Sequence, residues 1–224
     1  MKIRKLIAVA LASATIISMT GCSFINNTID KTYKAVEELG YQEEKAEKYL
    51  DELEDMEEDT WEDGLFTETD DEDIIKELIG YLPKSFNLKK SNVNKVLFAK
   101  KYGFDDHISS NSFSVYCFEM KDTKTADKLF DNIVDTYEDF DEFYSGYSDD
   151  SFSYDTEVDD DYFAMALELE SGSIFNHTYM CAIKEGKVVT FISVANYDKE
   201  SDQFIDMLDD LCKDIDIKNP KDLL

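Results

Sequence analysis

Apolar residues recur at helical spacing in the first part of the chain beyond residue 28, and alternation takes over later. Ile29, Tyr33 and Val36 share one stripe over residues 29–39, which predicts a helix closed by Gly40. Ala46, Tyr49, Leu50, Leu53 and Met56 repeat the spacing between Gln42 and Glu58, on a helix whose other faces are nearly all acidic. Gly64–Thr69 reads as a strand, and Asp70–Leu82 as a two-faced helix stopped by Pro83. Val93–Lys100 and Ser112–Met120 are strand-like. The second leads into a helix capped at Asp122 or Thr123 that carries Ala126, Leu129, Phe130, Ile133, Val134 and Tyr137. Tyr162–Leu169 alternates cleanly, with Phe163, Met165, Leu167 and Leu169 on one face and the small Ala164 and Ala166 on the other. Asn176–Ile183 and Lys187–Ala195 are joined through Lys184-Glu185-Gly186, a hairpin signal. A last helix starts at Asp198 and uses Phe204, Ile205, Leu208, Leu211 and Cys212.

Short strands in hairpins, interrupted by helices, predict an α+β fold. The expected sheet is antiparallel or mixed, with helices packed mainly on one face and an acidic helical segment (29–60) ahead of the main domain (61–224). A strand followed by an acid-started helix recurs over 64–82, 112–137 and 187–212, which suggests a weak internal repeat. Glu138–Asp161 breaks the pattern. It holds eleven acids, no base and six aromatic residues, and is expected to form an acidic aromatic loop near 142–161.

Charge changes the picture next. The chain has 51 acids against 23 bases, a net of −28, yet 43% of its residues are hydrophobic, including 15 Phe and 13 Tyr. That apolar content is too high for a disordered chain, and the acidity excludes nucleic acid and direct attraction to anionic headgroups. The acids are uneven. Leu50 to Asp73 carries fourteen acids and no base, whereas Leu78 to Phe104 carries six lysines and no acid. The lysine-rich segment is expected to pair within the chain with the acidic helix of Gln42–Glu58.

The N-terminus supplies the most specific signal. Lys2, Arg4 and Lys5 precede an apolar run from Leu6 to Met19, the charged and apolar regions of a secretory signal. The run is shorter than the roughly 20 residues of a permanent span. It ends in Thr20-Gly21-Cys22. Here the chain resembles the bacterial lipoprotein precursors, with Met19 where that family usually has Leu, Val or Ile. The resemblance covers residues 1–22. It implies cleavage before Cys22, a diacylglyceryl thioether on its sulfur, residues 22–28 as a tether, and a location on the extracytoplasmic side of the cell membrane. Loss of residues 1–21 removes three bases and leaves 51 acids against 20 bases, a mature net charge of −31.

Candidate chemistry is sparse. Cys117, Cys181 and Cys212 read as small buried thiols, with a Cys117–Cys181 bridge as the alternative. There are two histidines, His107 in a polar connection and His177 on a strand. No zincin, nucleophile-elbow, Walker A or dinucleotide motif occurs. Asp149, Asp150, Asp155, Glu157, Asp159, Asp160 and Asp161 offer hard oxygen ligands for Ca²⁺, although no EF-hand pattern is present. The expected function is a membrane-anchored binding or structural module without catalysis. The alternatives are a Ca²⁺-binding domain and a cell-envelope hydrolase with dispersed residues. Expected partners are the membrane through the lipid, and a protein, cationic peptide or divalent cation. No cofactor beyond the covalent lipid is expected.

Overall fold

The computed structural model describes residues 29–54, 64–103, 111–138 and 151–224. Eight strands form one sheet in the order β1-β2-β3-β4-β8-β7-β6-β5. They are β1 (Gln42–Glu43), β2 (Leu65–Thr69), β3 (Val93–Gly103), β4 (Asn111–Met120), β5 (Phe152–Val158), β6 (Tyr162–Ser171), β7 (Ile174–Glu185) and β8 (Val188–Asn196). Only β1 and β2 pair in parallel; every other pair is antiparallel. The chain leaves β4, crosses in a helix to the far edge, and meanders back through β5, β6 and β7 until β8 pairs with β4. The expected α+β class and mixed sheet are therefore present.

Five α-helices are described: α1 (29–38), α2 (Ala46–Glu54), α3 (Glu72–Ile79), α4 (Thr123–Tyr137) and α5 (Gln203–Asp214). Helices α2, α3 and α4 cover one face, burying Tyr49, Ile75, Leu78 and Ile133 against Phe98, Phe118, Phe163 and Phe191. The expectation of packing mainly on one face widens here, because α1 and α5 cover the other face. They bury Val36, Leu208 and Leu211 against Leu97, Val115, Ala164 and Ile192. The strands explain why. From Val115 to Phe118 and from Phe163 to Leu167 every residue is buried, so both parities of the pleat are apolar and both faces need a cover. The acidic segment before the domain is part of it. Ile29 and Val36 are core residues, and β1 extends the sheet.

Local chemistry sets the boundaries. The Asp71 carboxylate accepts from the backbone of Asp73 (2.9 Å) and Ile74 (3.2 Å) and starts α3. Asp122 and Thr125 form a reciprocal capping box at the start of α4. Helix α5 starts five residues later than its sequence suggested. Asp198 accepts from the Glu200 amide at 2.8 Å, so its carboxylate closes a turn and does not cap the helix. Two hairpins close on two residues each, with Gly172 (φ 64°) and Gly186 (φ 60°) leading the turn, the position where a tight hairpin needs a positive φ.

The expected loop near 142–161 is corrected. Its second half is β5, paired residue for residue from Phe152↔Leu169 to Val158↔Phe163. Phe152 and Tyr154 turn onto the first core, while Ser153, Asp155 and Glu157 point the other way. The acids hid a period-two pattern. Residues 139–150 lie outside the described residues. The repeat does not extend to helix placement, since α4 and α5 follow adjacent strands but cover opposite faces.

Phe191 is 2% exposed, stacked on Tyr137 and edge-on to Phe86. Phe191→Ala is expected to cost about 3–5 kcal/mol in denaturant unfolding. The Thr125 backbone amide holds the Asp122 carboxyl below its ordinary range. A depressed carboxyl contributes stability above its unfolded pKa and loses it as pH falls. Asp122→Ala is therefore expected to lower the thermal midpoint at neutral pH, with the gap to wild type closing below about pH 4.

Candidate functional site

Five of the seven acids singled out for calcium lie among the described residues. Asp155 and Glu157 stand on the edge strand β5, and Asp159, Asp160 and Asp161 form the turn into β6. Glu157 pairs with Lys218, and Asp161 pairs with Lys184 at 3.1 Å, which also holds Asp127 at 2.8 Å. Among the described residues no group of three His, Cys, Asp or Glu could hold a metal ion. Asp149 and Asp150 lie outside the described residues, as do His107 and Cys22. Among the described residues the lysine-rich segment pairs with acids of β2 and α3 rather than with those of α2. Lys90 reaches Asp73 at 3.4 Å and Glu72 at 3.9 Å, and Lys95 reaches Glu68 at 2.6 Å.

The three described cysteines are free and buried. A Cys117–Cys181 bridge is excluded by topology. Strand β8 runs between β4 and β7, which puts the two residues roughly 10 Å apart laterally, beyond disulfide reach. The Cys117 sulfur lies 3.2 Å from Thr190 Oγ1, and Thr32 of α1 hydrogen-bonds it as well. Burial pushes the Cys117 and Cys212 thiols up to about 12 and Cys181 well above its ordinary value. These are core thiols, not nucleophiles.

One polar constellation escaped sequence reasoning. Phe175, His177 and Tyr179 line one face of β7, and their partners come from β6 and the β8–α5 connection. The His177 ring packs on Phe175 with centroids 4.1 Å apart. Its Nε2 lies 3.3 Å from Glu170 Oε1, an ion-pair distance without hydrogen-bond alignment. Lys199 donates to the other Glu170 oxygen at 2.9 Å, and its ammonium stands 5.9 Å from the Phe175 ring. The Lys199 hydrogen bond leads in holding the Glu170 carboxyl below its ordinary range, with His177 adding to it. The Tyr179 hydroxyl donates to Glu168 at 2.5 Å, and burial, followed by that carboxylate, pushes its pKa far up. The signal that could have found this group is Gly172, whose turn folds Glu168 and Glu170 back beside Phe175 and His177. The sequence reading ended one strand at Leu169 and began the next at Asn176, which removed the hairpin tip.

His177 and Cys181 share a strand face but sit four residues apart, about 13 Å along the strand. No Cys–His pair forms among the described residues. A largely buried histidine held between a carboxylate and an aromatic ring has no nucleophile beside it to activate among the described residues.

In the Cys22→Ala chain, a thiol reagent at mildly alkaline pH is expected to label none of the three core cysteines while the protein is folded. All three should react in denaturant without reductant. A thiol that appears only after reduction would overturn the free-thiol assignment.

Among the described residues no helix is long and apolar enough to cross a membrane. No family model matches the chain, and no curated protein matches it. A solved structure with some likeness is the extracellular domain of PknH from Mycobacterium tuberculosis, at 6% identity and a TM-score of 0.35, covering 56% of this chain and 66% of that one. A likeness that distant carries no argument about what this chain does.

Proposed function

We propose that this chain is a lipoprotein held on the extracytoplasmic side of the cell membrane through Cys22, with a folded domain that binds a partner and performs no catalysis. The observation that carries the reading is the cationic start, short apolar run and Thr20-Gly21-Cys22 ending. Buried acyl methylenes, at about 0.8 kcal/mol each, would retain a domain whose own charge repels anionic headgroups.

The way the chain enters the fold supports the anchor. Thr32 reaches Cys117, three residues before the end of β4, and the Tyr41 hydroxyl donates to the Phe113 carbonyl near its start. Helix α1 therefore runs from the Met120 end of β4 toward the Asn111 end. Cys22 precedes Ile29 by seven residues, a reach of at most about 25 Å. A lipid on Cys22 would tether the molecule by its Met120 end. The His177 group lies at the opposite end, where His177 pairs with Asn196. Exposed Ile174 and Tyr197 lie at that end as well. That end would face outward from the membrane.

Cys22→Ala is expected to abolish incorporation of a tagged fatty acid into the protein expressed in a bacterial host. Labelling that persists in this variant would overturn the anchor.

A further inference from the structure

We draw no further inference here: the strongest candidate, the side-chain cluster of Glu168, Glu170, Phe175, His177 and Tyr179 on the β6–β7 hairpin, has its carboxylates already taken up by Lys199 and the Tyr179 hydroxyl, and nothing in the structure shows what ligand or partner would cover it.

Discussion

The fold depends on the pairing of β4 with β8, from Ser112↔Ala195 to Glu119↔Val188. It joins residues 69 to 83 apart in sequence, and it sits at the centre of the sheet. Everything between the two strands must leave and return: α4 carries the chain to the far edge, and three hairpin-linked strands bring it back. Because both strands are buried on both faces, the seam holds only if both layers of helices are in place. Cys117 and Thr190 meet across it, and Thr32 of α1 closes over them. The N-terminal helix is thus a cover for the seam and cannot be an independent stalk.

Charge is arranged around that constraint. The fully buried polar residues among those described are Thr, Ser and Asn, with no carboxylate or ammonium. The acids occupy helix starts, where they complement the dipole, and the edge strand β5, where Asp155 and Glu157 discourage pairing with another chain. Surface pairs such as Lys95–Glu68 and Lys184–Asp161 are each worth little in stability, roughly 0–1 kcal/mol. Their effect is to fix where elements lie. Lys90 and Lys95 tie the segment before β3 and its first turn to the acids around β2 and α3. Asn111 and Asn196 do the same by neutral means, accepting from the Tyr197 amide and donating to the Ser201 carbonyl to set the β8–α5 connection.

Elements with strong periodicity were legible in the sequence, and their partners were not. The alternation of Phe163, Met165, Leu167 and Leu169 against Ala164 and Ala166 placed β6 and its two faces correctly, because burial on both sides is written into residue size. β5 was hidden because its outward positions are acids, which read as a solvated loop when only charge is counted. The second helix layer was written into the same strands, whose two parities are both apolar, and reading one covered face for the sheet hid it. The His177 group is made by register. Glu170 meets His177 only through a two-residue turn. That coincidence leaves no spacing motif.

The His177 group lies at one end of the sheet, and the chain enters the fold at the other. A single polarity follows from the path of α1. Near the end where the chain enters stand capped, paired turns: the Asp122 box, the Gly186 hairpin, and Lys90 with its acids. Residues at the other end include a histidine between a carboxylate and a ring, and exposed Ile174 and Tyr197. The end where the chain enters is built of capped and paired groups, and the other end carries exposed apolar side chains beside a charged cluster, so the two ends of the sheet differ in chemistry.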